Sequence, residues 1–177
     1  APRMQLRLEE NGIRFNYNKS ENIIYSSTSG VGDFVLRTLD NPERIVGYET
    51  MCAHIDELDT LSAEKAKLVW EKIIARNRQT FEGYEHIDNR VSAYSTPEGF
   101  RFCHDRWVTN TSDKYGYVQA STLSNPFLPT EYVENLRASY PAELIEAYIN
   151  GQFVNLTSGT VYGSYNRHQH NTSEKIR

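Results

Sequence analysis

The chain reads as an α/β protein with a largely parallel sheet. Three observations carry that reading. Thr50-Met51-Cys52-Ala53-His54-Ile55 is a mostly apolar run that stops at Asp56-Glu57, and a strand buried in a parallel sheet is continuously apolar rather than alternating. A helical face follows, built from Ala63, Ala66, Leu68, Val69, Ile73 and Ile74. A second strand, Ile87 to Ala93, comes after the helix, and strands alternating with helices favour parallel pairing.

In chain order, the first 50 residues are expected to be β-structure with turns. Ile13-Arg14-Phe15-Asn16-Tyr17 alternates with period two, and Ile23-Ile24-Tyr25 follows the polar turn Asn18-Lys19-Ser20. Phe34-Val35-Leu36 follows Gly30-Val31-Gly32-Asp33. Asp40-Asn41-Pro42-Glu43 is a further turn, with Pro42 placed to open a helical turn. Ser62 is a candidate cap for the helix that runs to about Arg78. Thr96-Pro97-Glu98-Gly99 closes the second strand, Phe100 to Val108 is a candidate helix, and Tyr115 to Ala120 a further strand. Beyond Asn125-Pro126-Phe127-Leu128-Pro129 the chain turns helical. Thr130 is expected to cap one helix carrying Val133 and Leu136. Pro141 opens another carrying Leu144, Ile145 and Tyr148, and Gly151 lies just past its end. From Asn166 to Arg177 few apolar residues remain, which suits a linker or tail.

Composition bounds the function. The 177 residues are 38% hydrophobic and 24% charged, enough to build a core, and suit one domain. A net charge of −4 argues against a protein that coats DNA by bulk positive charge. No run reaches the ~18 apolar residues of a membrane span, and no apolar stretch follows Ala1-Pro2-Arg3-Met4 as in a secretory signal. Cys52 and Cys103 form no Cys-x-x-Cys pair and sit among apolar neighbours, so both are expected to be buried free thiols. The Asn-x-Ser/Thr triplets at Asn18, Asn110, Asn155 and Asn171 are then chance matches in a cytosolic chain.

Several groups could carry chemistry. Asp56-Glu57 lies at the end of an apolar strand, where ligands bind in open α/β sheets. Such an Asp can hold the water shell of a phosphate-bound Mg²⁺, and the adjacent Glu can polarise an attacking water. The plainer alternative is a pair of acids at a strand end that caps the following helix. Asp59 adds little to this pair. Ser92-Ala93-Tyr94-Ser95-Thr96 follows the neighbouring strand, and could sense a phosphate through a hydroxyl or simply form a turn before Pro97. Arg44 could stabilise phosphoryl-transfer charge or be a surface arginine. His168-Gln169-His170 has metal-ligand residues but no carboxylate beside it in sequence. The 12 tyrosines fall mostly at core-like positions, which disfavours a base-stacking surface. No Gly-x-x-x-x-Gly-Lys-Ser/Thr occurs, so the phosphate cradle is not in this chain.

The ordered set of motifs resembles the large terminase subunit of tailed bacteriophages. The matching segments are Arg37 to Glu49, Ala53-His54-Ile55-Asp56-Glu57, Ser92 to Phe100, Ala120 to Pro129, Tyr148 to Val154 and Gly159-Thr160-Val161-Tyr162, so that the likeness runs from about Ile13 to Tyr165. It implies an ATP-driven motor that packages double-stranded viral DNA into a procapsid in the cytoplasm of the bacterial host. The implied fold is a P-loop NTPase of the additional-strand type, of which this chain holds the C-terminal half. Residues 1–122 would then be the ATPase core with its Walker B and coupling segments, 123–156 a small helical lid, and 157–177 a linker toward a nuclease domain.

On this resemblance Asp56 is the Walker B aspartate that holds Mg²⁺ through water, and Glu57 is the catalytic glutamate. Ser92, Ala93 and Tyr94 are the coupling motif, and Arg44 is the arginine that reaches a neighbouring subunit's nucleotide. The implied cofactors are ATP and Mg²⁺. The implied partners are DNA, the small terminase subunit, the portal protein and neighbouring large subunits in a ring, with no membrane. The phosphate cradle and the nuclease carboxylates would lie outside this chain. It would then be inactive alone, or an inert remnant serving as a DNA- or protein-binding module. A metal-dependent nuclease built on Asp56, Glu57 and Asp59 is disfavoured, because such sites need carboxylates converging from several strands.

Overall fold

The structure is a computed structural model and describes residues 2–45 and 47–156. The chain opens on a helix that the sequence pattern did not predict, α1 (Pro2–Glu10), with Leu8 buried. Pro2 suits a first helical position because its missing N–H has no intrahelical partner to lose. The helix stops at Asn11-Gly12, where Gly12 takes φ +70 and the Ile13 N–H reaches back to the Leu8 carbonyl (2.9 Å).

Three short strands follow as an antiparallel meander, β1 (Phe15–Asn18), β2 (Ile23–Ser26) and β3 (Phe34–Val35). Phe15 pairs with Ser26, Asn18 with Ile23, and Ile23 with Val35. The first turn is tied by Asn18, whose Oδ1 accepts from the backbone N–H groups of Ser20 (3.1 Å) and Glu21 (3.2 Å). Ile23 and Ile24, adjacent on β2 and so on opposite faces of the strand, are both buried. Pro42 opens a 3₁₀ turn, Pro42–Ile45, as its position suggests.

The parallel part of the fold is β4 (Cys52–Asp56) and β5 (Arg90–Tyr94), with α2 (Ala63–Arg76) between them in sequence. Two hydrogen bonds bracket the pair. The Arg90 N–H donates to the Met51 carbonyl (3.1 Å), and the Glu57 N–H to the Tyr94 carbonyl (2.7 Å). Both partners advance together along the chain, so the strands are parallel, and a helix makes the crossover that parallel pairing requires. Helix α2 starts with Ser62 Oγ accepting from the Lys65 N–H (3.3 Å). It buries Ala66, Val69, Trp70 and Ile73, positions i, i+3, i+4 and i+7, whereas Leu68 and Ile74 are exposed.

Several expectations are corrected. Among the described residues there are two separate sheets, antiparallel across β1–β2–β3, where the turns of the first 36 residues close hairpins, and parallel across β4 and β5. Burial alternates along β4, and Cys52 is exposed, leaving Cys103 as the buried thiol. Tyr115 to Ala120 forms no strand. Residues just beyond it instead close the end of a helix: Thr122 N–H donates to the Ile149 carbonyl (2.8 Å), and the Thr122 hydroxyl to the Tyr148 carbonyl (2.8 Å). That helix is α4 (Ala142–Tyr148), preceded by α3 (Thr130–Ser139). Pro129, not Thr130, occupies the cap position of α3, because its extended backbone lies just outside the helix. The segment after Phe100 is helical, as a π-helix over His104–Thr109. Tyr25, Tyr84, Tyr94, Tyr115, Tyr117 and Tyr132 are exposed, so the tyrosines are not mainly core residues. His168-Gln169-His170 and the linker at 157–177 lie outside the described residues.

The described chain divides into two compact units. One runs to Ala53 and includes Leu68–Val91, with a core of Leu8, Ile23, Ile24, Val69, Trp70 and Ile73. The other comprises His54–Lys67 and the chain from Ser92 on, and buries Ile55, Leu58, Ala66, Cys103, Ala147 and Ile149.

Candidate functional site

At the C-terminal end of β4, Ile55 is buried and Asp56 is exposed, so the pleat turns the aspartate outward where the strand stops. Glu57 then leaves the strand in the left-handed region, with φ 54 and ψ 41. A non-glycine residue there costs roughly 1–2 kcal/mol and persists only where its surroundings hold it. Both peptide groups of Glu57 are held. Its N–H donates to the Tyr94 carbonyl (2.7 Å), and its carbonyl accepts from the Thr60 hydroxyl (2.7 Å) and the Thr60 N–H (3.3 Å). The bend starts a 3₁₀ turn, Leu58–Thr60, and leaves the Glu57 side chain exposed.

The end of β5 lies beside it. Ser92 and Ala93 are half-buried, whereas Tyr94 is 54% exposed. The Tyr94 ring stacks on His54 of β4 at 6.0 Å between centroids and 12° between planes, and its hydroxyl lies 3.1 Å from His54 Nδ1. Asp56-Glu57 and Ser92-Ala93-Tyr94 are therefore brought together, through the Glu57–Tyr94 hydrogen bond. Arg44 is exposed in the 3₁₀ turn Pro42–Ile45 and belongs to the other unit.

Asp59 is the residue whose weight the sequence conceals. Its side chain is 1% exposed. Oδ1 accepts from the Cys103 N–H (3.1 Å) and Oδ2 from the Glu98 N–H (3.2 Å), while its own N–H donates to Ser95 Oγ (2.9 Å). The engaged hydroxyl after β5 is thus that of Ser95. Burial, with the Asp59 carboxylate beside it, pushes the Cys103 thiol well up, so it stays protonated and unreactive at neutral pH. Glu98 in turn accepts from the Tyr148 hydroxyl on α4 (2.6 Å). That bond, burial and the nearby Glu98 charge raise the Tyr148 phenol to about 12.

Among the described residues, no group of three His, Cys, Asp or Glu could cage a metal. A cation that keeps most of its water needs less. Asp56, an exposed carboxylate at a parallel strand's C-terminal end, is a hard oxygen donor suited to Mg²⁺ held through water. The phosphates of a nucleotide would need backbone N–H groups and a lysine from a cradle that these 177 residues do not contain.

The fold matches solved structures of one class of protein. It superposes on the large terminase of a thermophilic bacteriophage, in crystal form 2, with TM-score 0.66, at 15% identity over 94% of this chain and 40% of that one. It superposes on the same phage's terminase in complex with ADP with TM-score 0.68, at 16% identity over 94% of this chain and 39% of that one. These likenesses define the fold, that of a large terminase. The family follows from a broader match. Residues 3–166 fit the family model of the terminase large subunit, T4likevirus-type, N-terminal region, and the chain belongs to that family. It spans about two fifths of the thermophilic phage's terminase chains. No curated protein matches it.

Proposed function

We propose that this chain is the Walker B and coupling half of a large-terminase ATPase, a motor that drives double-stranded viral DNA into a procapsid. In this reading residues 1–122 belong to the ATPase core, 123–156 (with α3 and α4) to a helical lid, and 157–177 to a linker toward a nuclease domain. Asp56 holds Mg²⁺ through water. The Glu57 carboxylate orients the attacking water and draws its proton as the water oxygen bonds to the terminal phosphorus and the bond to the bridging oxygen breaks, releasing ADP and phosphate. Ser92, Ala93 and Tyr94 form the coupling segment, and Arg44 serves a neighbouring subunit's site. When bound, Mg²⁺ supplies charge neutralisation at the phosphates. The small terminase subunit, the portal protein and further large subunits are the partners, in the cytoplasm of the bacterial host.

The observation that carries the reading is the Glu57–Tyr94 hydrogen bond (2.7 Å). It fixes an exposed carboxylate in a strained backbone setting at the C-terminal edge of a parallel pair, the edge at which ligands sit in such sheets. It also joins the proposed water-activating residue directly to the proposed coupling segment. Family membership supports the packaging role, and the ADP complex of the thermophilic phage's terminase supports nucleotide as the ligand of this fold.

The test is a protein that contains this chain together with a phosphate cradle and hydrolyses ATP. Glu57→Gln is expected to lower kcat by about 10²–10⁴-fold while ATP still binds. Full turnover by that variant removes Glu57 from the chemistry.

A further inference from the structure

Among the described residues, Asp59 is the buried charged side chain, and the chemistry proposed above does not use it. Burying a carboxylate is expensive unless its oxygens are met by donors. Here both are met, and both donors are backbone amides of one segment: Glu98 at 3.2 Å and Cys103 at 3.1 Å. The Asp59 N–H is fixed to Ser95 Oγ at 2.9 Å, and two residues earlier the Glu57 N–H is fixed to the Tyr94 carbonyl at 2.7 Å. The turn at 57–59 and the segment at 94–103 are thus stitched at four points. An apolar side chain at 59 could fill the space, but it would not dictate which backbone amides face it, whereas a carboxylate does.

We propose that Asp59 is a positioning residue for the Glu57 carboxylate: by clamping the Glu98 and Cys103 amides to the turn that follows β4, it holds Glu57 in its left-handed setting at the strand end. The same clamp reaches α4, because the Glu98 side chain it locates accepts from the Tyr148 hydroxyl at 2.6 Å. The inference rests on the reading of Glu57 as the water-activating group.

The experiment uses the ATP-hydrolysing protein that carries this chain. Asp59→Asn keeps one acceptor oxygen and turns an NH₂ group toward the other amide, so the clamp half opens at nearly constant volume. A misplacement of the Glu57 carboxylate by about 1 Å should lower kcat about 10²-fold with the KM for ATP unchanged. A purely structural role would instead lower the melting temperature and leave the kcat of the folded fraction alone. The decisive comparison is single-turnover hydrolysis in the Glu57→Gln background. If Asp59 acts through Glu57, then adding Asp59→Asn there should change the residual rate by less than about twofold.

The inference is overturned if Asp59→Asn retains the parental kcat, or if it slows the Glu57→Gln protein by the same factor as the parent. Should Asp59→Asn fail to fold, Ser95→Ala removes the acceptor of the Asp59 N–H, together with the hydroxyl's own bond to the Thr96 carbonyl (3.2 Å), and leaves the Asp59 carboxylate in place. It is judged by the same two comparisons, with about a tenfold loss of kcat expected. The two ideas fail separately. Parental turnover by Glu57→Gln defeats the reading of Glu57, whereas an inactive Glu57→Gln beside a fully active Asp59→Asn defeats only the role of Asp59.

Discussion

Glu57 is held in a conformation that a glycine would adopt freely, with φ 54. Most positions that need this setting are filled by glycine, because a Cβ there costs roughly 1–2 kcal/mol. Here the cost is met by the bonds that hold both peptide groups of Glu57. Glu57→Gly should therefore be more stable than Glu57→Ala by about 1 kcal/mol in chemical denaturation, since alanine keeps the strain and glycine removes it, while both abolish hydrolysis. Equal stability of the two would show that the turn is unstrained. At Tyr148 the sign runs with pH. The folded phenol titrates near 12, above its ordinary value of about 10, because it donates to the Glu98 carboxylate. Its contribution is thus fully present below pH about 10 and is lost as pH rises toward 12. Tyr148→Phe should cost about 1 kcal/mol at neutral pH and should flatten the fall in stability across that alkaline window, measured by urea denaturation at stepped pH.

At the scale of elements, α2 and the end of α4 make separate demands. Ile73 is buried and Ile74 exposed on the same turn of α2. Ile73→Ala should cost about 2–4 kcal/mol, and Ile74→Ala less than about 0.5 kcal/mol. Gly151, just past α4, has φ +67, and a Cβ added there would lie 2.7 Å from the Ala120 carbonyl oxygen. Gly12 after α1 has φ +70 and open space around it. Gly12→Ala should therefore cost about 1 kcal/mol, and Gly151→Ala at least about 1 kcal/mol more, because backbone must shift as well. The elements that sequence made legible are those written in local chemistry. Turn residues marked the β1–β2 hairpin, Pro42 marked its 3₁₀ turn, and the apolar run stopping at Asp56-Glu57 marked β4, at whose end the candidate residues stand. Helix α1 was not legible because its nine residues carry, besides Pro2, only Met4, Leu6 and Leu8 as apolar side chains, too short a pattern to establish a helical period, although Pro2 and Gly12 bracket it. Tyr115 to Ala120 has strand-like residues, but a strand needs a partner, and that chain instead leads to the Ser121-Thr122 closure of α4. Asp59 was illegible for the same reason: a charge in a turn looks solvated until tertiary structure brings two amides onto it.

At the scale of the whole molecule, the proposed chemistry asks for more than this chain holds. Asp56, Glu57 and the coupling segment stand at the C-terminal ends of β4 and β5, Arg44 is proposed to serve a neighbouring subunit, and no Gly-x-x-x-x-Gly-Lys-Ser/Thr cradle occurs among these residues. The 177 residues alone should bind ATP no more tightly than about 1 mM, worth about −4 kcal/mol, with or without Mg²⁺. Micromolar, Mg²⁺-dependent binding in a titration with labelled ATP would mean that the phosphates are held by groups other than a lysine-bearing cradle. The assignment of Arg44 to a neighbouring subunit makes a sharper demand. Arg44→Ala and Glu57→Gln should each be inactive in the assembled motor, for different reasons: the first lacks the charge it lends, the second the base it uses. Mixed in equal amounts, they form interfaces in which a Glu57→Gln subunit presents Arg44 to an Arg44→Ala subunit that retains Glu57. Random mixing places about one interface in four in that competent arrangement, so hydrolysis should recover to about a quarter of the parental rate. If Arg44 served its own subunit's nucleotide, no mixture would contain a complete site, and the mixed protein would stay as inactive as its components.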